Sequence, residues 1–379
     1  MKITVSVHGR FHAFELAKGL SQSGYLNQLL TTYPRFMVRK YVGSNITLKT
    51  IPSLELRRRL YPKLGVNKNI DLSIAKTFGE FSKRHVRSDT DIFVGWSSAS
   101  LEAIKRAQDF GSKIIIERGS THIAEQTNVL HEAYKEFGLH FNGTPLEIIE
   151  REEREYSLAD KISVPSKYAA QTFVDRGIPK NKIFINRYGV NLGLFHPPTK
   201  RPSDRKPRII FVGGVGIRKG VPWLIEAFKS LSSKAELHLI GPISPDYEPI
   251  LRVTVGKGIH VRGALPSNQL AAEYGRGDVF CLPSLEEGYG MVILQAMACG
   301  LPVVTTHVVG AADLLEHGYN GFIVASGDRT ALGDALLHLV DDTHLRQSMG
   351  AQALATVQSR QSWDDYIHRS VAFYKKLLA

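Results

Sequence analysis

Short apolar runs alternate with amphipathic stretches along the whole chain, as strands and helices do when they follow one another. In the first half, these runs predict strands at 2–7, 91–95, 113–117, 161–165 and 182–185, with helices at 11–23 and near 167–176. In the second half, they predict strands at 208–212, 236–240, 259–261, 278–282 and 302–306, and helices at 221–228 and about 362–378. Strands that alternate with helices favour a parallel, doubly wound α/β sheet.

A stretch without apolar periodicity, residues 196–208, separates the two series and contains four prolines. Such a composition is typical of a linker. The chain has 379 residues, which is enough for two domains that each bury a core. The sequence therefore predicts two Rossmann-like domains.

The composition, 43% hydrophobic and 22% charged, is that of a soluble globular protein. No apolar run approaches the roughly 20 residues that a membrane helix needs. The first seven residues alternate like a strand and are too short for a signal peptide. Two cysteines, Cys281 and Cys299, lie in apolar stretches and indicate a reducing compartment without a disulfide framework. We therefore expect a cytoplasmic protein.

The net charge of +12 is concentrated near the N-terminus, because residues 1–80 hold 13 lysines and arginines against four acids. Within residues 33–63, basic clusters are mixed with Tyr, Phe, Met and Leu. This mixture suits an anionic membrane surface, and peripheral contact with the cytoplasmic face of a membrane is one interpretation. A phosphate-rich acceptor and simple solubility are the others, and we expect no nucleic acid.

The stretch 283–304 carries the clearest sign of chemistry. It predicts a strand end, a glycine-punctuated turn, a short apolar helix and a second strand. Gly288 and Gly290 permit a close approach by a ligand, and the helix N-terminus that follows them attracts anions. Glu287 is the carboxylate at this turn. Phosphate oxygens suit the N–H groups and sugar hydroxyls suit the carboxylate, so we expect a sugar attached to a phosphate. A generic turn with a solvated glutamate is the alternative.

A second glycine-rich turn follows the strand at 208–212 and contains Gly213, Gly214, Gly216, Arg218 and Lys219. Its glycines let the backbone approach an anion, and the two basic side chains supply charge. The segment spells neither a Walker A loop nor G-x-G-x-x-G. The alternative is a solvated helix start.

In the first half, two predicted strand ends carry polar residues, namely Gly9, Arg10 and His12 after the first strand and Arg118 and His122 after 113–117. The carboxyl ends of parallel strands are where open α/β sheets bind ligands. A lone histidine is more often structural, so both interpretations of His122 stay open. Asp89-Thr90-Asp91 precedes an apolar strand and is interpreted as a solvated strand start. No His/Cys set has zinc spacing, and we expect no metal.

Together these motifs resemble the donor-sugar signature of GT-B glycosyltransferases, specifically the large retaining family 4. That family carries two glutamates at the spacing of Glu287 and Gln295, followed by A-M-A and G-x-P-V-V. Glu287 and 296–304 match, whereas Gln295 departs from the second glutamate. Lys219 matches the diphosphate-binding lysine, and Gly214 stands where an arginine is usual. The similarity is nearly complete over 160–325 and only topological over 1–150.

This resemblance implies a GT-B fold in which a donor domain, 198–360, faces an acceptor domain, 1–197, with a C-terminal helix, 361–379, joined to the acceptor domain. It implies a retaining, metal-independent hexosyltransferase of carbohydrate biosynthesis that needs no cofactor. The donor would be a nucleotide-diphosphate sugar, most often of UDP or GDP, and the acceptor a glycan or lipid-linked hydroxyl. A nucleotide-sugar epimerase or phosphorylase on the same fold, or a non-catalytic nucleotide-sugar or glycan-binding protein, is the alternative.

The resemblance also assigns residues to roles. Glu287 would hold sugar hydroxyls, Lys219 and Arg218 would stabilise the diphosphate, Gln295 would face the ribose, and His122 would contact the transferred sugar. Other donor contacts would come from Gly213, Gly214, Gly216, Arg262, Gly288, Tyr289, Gly290, Met291 and Val292. A loop near the diphosphate or the acceptor would contain Gly9, Arg10, His12 and Arg118.

Overall fold

Two parallel sheets organise the computed structural model of the chain, which describes residues 1–61, 70–141, 143–202 and 204–379. The strands of the N-terminal sheet are β1 (Ile3–Val7), β2 (Leu26–Thr31), β3 (Leu48–Thr50), β4 (Ile92–Trp96), β5 (Lys113–Glu117), β6 (Lys161–Val164) and β7 (Ile183–Ile185). They lie in the order β3-β2-β1-β4-β5-β6-β7, and every neighbouring pair is parallel.

Helices connect these strands in the order expected for a doubly wound sheet. They are α1 (Ala13–Gln22), α2 (Arg35–Val42), α3 (Pro52–Leu60), α4 (Ile70–His85), α5 (Leu101–Asp109), α6 (Ile123–Glu136), α7 (Leu146–Leu158) and α8 (Lys167–Asp175).

The C-terminal sheet has the strands β8 (Arg208–Val212), β9 (Glu236–Ile240), β10 (Ile259–Gly263), β11 (Val279–Leu282), β12 (Val303–Thr306) and β13 (Gly321–Val324). Their order is β10-β9-β8-β11-β12-β13, again with parallel neighbours. The helices are α9 (Val221–Phe228), α10 (Glu248–Thr254), α11 (Ser267–Arg276), α12 (Met291–Ala298), α13 (Arg329–Asp341), α14 (Thr343–Arg360) and α15 (Trp363–Leu378). Short 3-10 helices lie at Lys180–Lys182, Ile217–Lys219, Lys229–Leu231 and Gly310–Leu314.

The central strands are buried along their whole length, as in β1, β4 and β11. Parallel sheets covered by helices lose solvent on both faces, so their strands are near-continuous apolar runs. This is why the sequence predictions found them, with ends within one or two residues. The prediction of an α/β fold with two Rossmann-like sheets is confirmed.

The sequence analysis missed β2, β3 and β13. In β2, Asn27 and Gln28 interrupt the apolar pattern, yet Gln28 is buried because its amide donates to the carbonyl of His85 at 2.9 Å. Residues 196–202 and 204–207 contain no helix or strand, and Ser203 lies outside the described residues. The domain limits at 197 and 360 stay a prediction.

The last helix, α15, packs against the N-terminal sheet and its helix α1. Phe373 stacks on Phe184 beside β7, with ring centroids 3.7 Å apart and an interplanar angle of 3°. Asn186 donates to Ser370 at 2.8 Å. Gly19 in α1 faces Ile367, and a Cβ at Gly19 would lie 2.4 Å from the Ile367 side chain. The chain therefore ends on the half of the molecule where it began. Among the described residues, no helix is long and apolar enough to cross a membrane.

We predict that Gly19→Ala destabilises the protein although alanine is the better helix former. The propensity gain is about 1 kcal/mol, whereas overpacking against Ile367 costs about 1–3 kcal/mol. Gly333 in α13 is the matched control, because its added Cβ would meet only ordinary contacts at 3.7–3.9 Å. Urea denaturation should show a loss for Gly19→Ala and a gain for Gly333→Ala. Equal gains in both variants would show that α15 is loosely packed.

Candidate active site

A cavity of about 480 Å³ opens between the two sheets, at the carboxyl ends of their strands. Loops after β1, β4 and β5 form the N-terminal wall, and loops after β8 and β11 form the C-terminal wall. Open α/β sheets bind ligands at this edge. The lining residues are His8, Phe11, His12, Trp96, Ser97, Ser98, Arg118, Gly119, Ser120, Tyr188, Val212, Gly213, Lys219, Glu287, Tyr289, Gly290, Met291 and Val292.

The C-terminal wall carries an ion pair between Lys219 and Glu287. Their side chains are 22% and 14% exposed, so both charges are largely removed from bulk water. Burial, followed by the charge of Arg218, lowers the pKa of Lys219 to about 7. Glu287, the carboxylate singled out in the sequence, therefore already contacts a cation. An anionic ligand at Lys219 would stabilise the protonated amine and release Glu287.

Glycines position this wall. Gly220 has φ 72° and its Cβ would lie 1.8 Å from the Pro283 carbonyl oxygen, so no side chain fits there. Gly290, with φ 84°, begins α12 as its N-cap residue. The first turn of α12 brings Met291 and Val292 to the cavity. The N–H groups and the positive dipole end of a helix attract anions. The cavity is therefore bordered by two sources of positive potential, the N-terminus of α12 and the amine of Lys219.

Glu286, which the sequence analysis did not single out, is fully buried between the two halves of the molecule. Its carboxylate accepts hydrogen bonds from the Ser120 and Thr121 hydroxyls at 2.8 and 2.7 Å and from the Gln126 amide at 2.9 Å. Arg218 contacts the same carboxylate at 2.9 Å. Burial raises the pKa of Glu286, but Arg218 and these hydrogen bonds outweigh it and lower the pKa to about 2.

This pairing decides where Arg218 points. Its guanidinium is held by Glu286 and is absent from the lining of the cavity. Contact with a diphosphate therefore stays a prediction for Arg218. Gly288 also lies outside the lining. Its role is steric. A Cβ at Gly288 would lie 2.3 Å from Ser120 Cα, so only glycine allows the two halves to approach this closely.

His122 lies at the start of α6. It caps the N-terminus of α6, where Nδ1 accepts from the Ala124 N–H at 3.3 Å. Its ring packs against Tyr156 and Phe173, with centroids 5.2 and 5.0 Å away. Burial and nearby arginines lower its pKa to about 4. His122 fills a capping and packing position outside the cavity lining, and its contact with the transferred sugar stays a prediction.

His12 is the histidine that lines the cavity together with His8. Its Nε2 lies 3.2 Å from a carboxylate oxygen of the buried Glu117, at the end of β5. The ring lies between Trp96 and Tyr188, with centroids 4.9 and 4.1 Å away. Nδ1 of His12 has no hydrogen-bond partner among the described residues. This nitrogen is a polar atom without a partner beside two aromatic rings of the wall.

Two lining residues have strained backbones. Phe11 and Ser98 have φ 40° and 72°, and they are the two non-glycine residues with positive φ in the described part of the chain. Such strain clusters at ligand sites when the surroundings enforce it. The Ser98 N–H donates to Glu155 at 2.7 Å, and its hydroxyl contacts Glu152. Burial and the neighbouring Glu152 raise the pKa of Glu155 to about 8.

Arg118 lines the cavity, but its guanidinium is already engaged. It donates to Glu152 at 3.2 Å, to the Gln126 side chain at 2.9 Å and to the Thr121 carbonyl at 3.0 Å. Arg10 lies over the Tyr41 ring at 3.7 Å, outside the lining.

Two further predicted residues, Gln295 and Arg262, lie outside the lining. The Gln295 side chain accepts from the Tyr274 hydroxyl at 3.1 Å, one turn beyond Met291. Arg262, on β10, lies 3.8 Å from Glu273, on α11.

The predicted glycines that do not line the cavity have different surroundings. The Gly9 carbonyl accepts from Thr31 at 2.9 Å, and a Cβ on Gly216 would meet Ser244 at 2.6 Å. No heavy atom of the described residues lies within 4 Å of a Cβ built on Gly214.

The sequence analysis missed Phe11, Glu117, Tyr188 and Trp96–Ser98 as parts of this site. Trp96–Ser98 follow a predicted strand, so the strand-end rule that selected Arg118 would also have found them. Tyr188 lies in a loop, and Glu117 is a buried strand residue. Only the packing brings these two to His12.

The fold and the cavity define a GT-B protein. Over 99% of its length the chain superimposes on a sucrose-phosphate synthase of Thermosynechococcus elongatus, with a TM-score of 0.71, 19% identity and 98% of that chain covered. It also superimposes over 99% of its length on the HepE protein of Anabaena in complex with UDP-glucose, with a TM-score of 0.67, 15% identity and all of that chain covered.

Residues 206–342 match the family model described as Glycosyl transferases group 1. The C-terminal sheet and its helices are therefore similar to the group 1 glycosyl transferases, in agreement with the GT-B glycosyltransferase resemblance found in the sequence. A capsular polysaccharide biosynthesis glycosyltransferase of Staphylococcus aureus is 32% identical over 55% of this chain and 59% of its own length. A sulfoquinovosyl transferase of Arabidopsis thaliana is 30% identical over 52% of this chain and 40% of its own length. The chain thus spans about half the length of these curated relatives.

We predict that Glu286→Gln lowers the free energy of unfolding by about 2–4 kcal/mol at pH 7, because Arg218 loses its buried counter-charge. The loss is limited because Arg218 is partly exposed to water. The folded pKa lies below the unfolded value of 4.5, so Glu286 stabilises the protein above pH 4.5, and this stability is lost as pH falls towards 2. Urea denaturation from pH 7 to pH 3 should therefore show the gap between wild type and variant narrowing below pH 4.5. The control, Glu226→Gln, removes an exposed pair with Lys229 and should change stability by less than about 1 kcal/mol. A constant gap down to pH 3 would contradict the ionised state of Glu286.

Proposed function

We propose that the protein transfers a sugar from a nucleoside diphosphate to a hydroxyl acceptor. The observation that carries this proposal is the C-terminal wall, where Lys219 and the N-terminus of α12 border one cavity with Glu287. A diphosphate needs positive potential, and a sugar needs hydrogen-bond acceptors, and this wall offers both. The glycosyltransferase names of the similar proteins and the UDP-glucose bound to a structural neighbour support the proposal.

On this proposal, binding of the donor opens the Lys219–Glu287 ion pair, and each of the two side chains then contacts a part of the donor instead. The diphosphate takes Lys219, whose amine has a pKa of about 7 before the anion arrives. Glu287 then accepts hydrogen bonds from the sugar hydroxyls. A nucleoside part would extend towards Met291 and Val292, with Gln295 one turn beyond. UDP is the first nucleotide to test and GDP the second.

The N-terminal wall would receive the acceptor. His12 offers Nδ1 to the acceptor hydroxyl, and Glu117 orients the imidazole through Nε2. In the transfer, the bond from the sugar to the diphosphate breaks and a bond from the sugar to the acceptor oxygen forms. The acceptor oxygen attacks on the face from which the diphosphate departs, so the anomeric configuration is retained, and the acceptor proton passes to the departing diphosphate. Lys219 and the dipole of α12 stabilise the growing negative charge without a divalent metal.

We predict that Lys219→Ala loses about 2–4 kcal/mol of transition-state stabilisation, the magnitude of one preorganised electrostatic contact. A thermal-shift panel of UDP-, GDP- and ADP-sugars first identifies the donor, because a bound ligand stabilises in proportion to RT ln(1 + [L]/Kd). The measurement is then kcat/KM for turnover of that labelled donor. Lys229→Ala is the matched control, because Lys229 is an exposed lysine of the same domain that pairs with Glu226. Wild-type kcat/KM in Lys219→Ala would remove this residue from the site.

The same assay tests the remaining steps. Dialysis against EDTA should leave turnover intact, and NMR of the product should show the anomer of the donor. His12→Ala should reduce transfer with little change in donor affinity, whereas His122→Ala should act mainly on stability.

Binding without turnover would favour a non-catalytic sugar-binding protein. Turnover of the donor without transfer would favour an epimerase, and release of a sugar phosphate a phosphorylase.

We also propose that the acceptor is lipid-linked and that the N-terminal domain docks on an anionic membrane. The docking surface consists of α2 and α3, with the exposed apolar side chains Phe36 (74% exposed), Leu56 (58%) and Leu60 (44%). Basic residues flank them on both helices. Arg58 of α3 donates to the His8 carbonyl at 2.5 Å, and His8 lines the cavity. The docking surface therefore adjoins the cavity. Residues 62 and 63 of the predicted membrane contact lie outside the described residues.

We predict that the wild type cosediments with vesicles containing anionic lipid at low salt and dissociates at high salt. Screening shortens the Debye length from about 10 Å at 0.1 M to about 3 Å at 1 M. The triple variant Phe36→Ser, Arg39→Glu and Lys40→Glu should lose this binding. Its three positions are exposed, unlike Arg57 and Arg58, which form hydrogen bonds within the domain.

The matched control makes equivalent changes on the C-terminal domain, namely Val253→Ser, Lys229→Glu and Lys234→Glu. This variant should bind vesicles as the wild type does. If both triple variants lose binding equally, net charge rather than the docking surface drives adsorption. If the wild type stays in the supernatant at low salt, the membrane proposal fails and the donor proposal is untouched.

A further inference from the structure

A cluster of Glu236, His238 and His260 lies on the C-terminal sheet, apart from the cavity. Glu236 and His238 are two residues apart on β9, so their side chains lie on the same face of the sheet. His260 of the edge strand β10 is the register partner of His238. The three side chains therefore converge, although the sequence spacing gave no sign of it, because one ligand comes from a different strand.

The ligand atoms of these three residues all lie within 4.8 Å of one another. His238 Nε2 lies 3.2 Å from one carboxylate oxygen of Glu236, and His260 Nε2 lies 4.0 Å from the other. Ligands of a tetrahedral zinc ion, at bonds of about 2.0–2.2 Å, lie roughly 3.3 Å apart, so small side-chain movements suffice. In the part of the chain that the structure describes, no other set of three such residues meets this geometry.

The cluster is also incompletely hydrogen-bonded. His238 is 2% exposed, and its Nδ1 has no hydrogen-bond partner among the described residues. Arg208 is the register partner of Glu236, and its buried Nε likewise has no hydrogen-bond partner among the described residues. Buried polar atoms are normally satisfied. A metal ion at Nε2 of His238 would satisfy neither of these two nitrogens, so it is the convergence of the three ligand atoms that points to a metal ion. His260 and Glu236 are 45% and 35% exposed, which leaves a path from solvent.

We infer that Glu236, His238 and His260 bind a divalent transition-metal ion of the zinc type. Two imidazoles and a carboxylate are zinc ligands, and water completes the tetrahedron. Arg208 lies 3.7 Å from Glu236 and repels a cation, so binding is weaker than at a closed structural site. The ion ties the edge strand β10 to β9, and none of its ligands lines the cavity. It therefore stabilises the C-terminal domain and takes no part in sugar transfer.

The experiment uses the full chain after dialysis against a chelator. Zinc is titrated in competition with a chromophoric indicator, and cobalt is added separately to record its ligand-field absorption. We expect one equivalent to bind the wild type, to raise Tm and to give tetrahedral cobalt bands. His260→Ala and Glu236→Gln should each weaken binding at least tenfold and abolish the Tm shift. Both positions are partly exposed, so the variants should fold, as circular dichroism without metal will show.

His344→Ala is the matched control, because it removes an exposed histidine of the same domain and should bind zinc like the wild type. Zinc affinity equal to that of the wild type in His260→Ala would overturn the site, as would a wild type that binds no equivalent. Because zinc binding is measured without a nucleotide sugar, this result is independent of the proposed transfer reaction.

Discussion

The burial of one carboxylate between the two domains is the constraint on which the cavity depends. Removing a charge from water costs several kcal/mol unless protein groups replace its hydration. Glu286 comes from the C-terminal domain, yet Ser120, Thr121 and Gln126 of the N-terminal half solvate it, together with Arg218. The charge is therefore satisfied only when the two halves are close together. This interaction fixes the distance between the walls of the cavity, and Gly288 removes the side chain that would prevent it.

The cavity itself is lined with charges that are already paired. Lys219 contacts Glu287, and Arg118 contacts Glu152. A ligand gains little from a charge that it must take from a partner, unless it satisfies both members of the pair. A diphosphate linked to a sugar does so, because its anionic part suits Lys219 and its hydroxyls suit Glu287. Paired charges therefore favour this combined ligand over a simple anion.

The N-terminal wall of the cavity is rigid. Ser98 keeps a positive φ because buried carboxyl groups on α7 hold its N–H and its hydroxyl. The His12 ring is confined between Trp96 and Tyr188. The backbone strain costs stability locally, whereas the aromatic packing contributes to it, and both hold polar atoms at defined positions in the cavity. The N-terminal wall is thus preorganised, in contrast to the C-terminal wall, where the Lys219–Glu287 ion pair must open before a ligand can bind either side chain.

The sequence by itself determined the fold class, most of the central strands and the two glycine-rich turns. These are local features: strands of a covered parallel sheet are unbroken apolar runs, and glycine is required where φ is positive or space is absent. The tertiary structure decided which charge meets which. Glu286 and Glu287 are adjacent and chemically identical, yet one lies between the domains and the other on the cavity wall. His12 and His122 both follow strands, but packing sends only His12 to the cavity. Gln28 is buried because a distant carbonyl accepts its hydrogen bond. Pairing and burial of polar groups depend on contacts between residues far apart in the chain, and a local pattern contains no record of them.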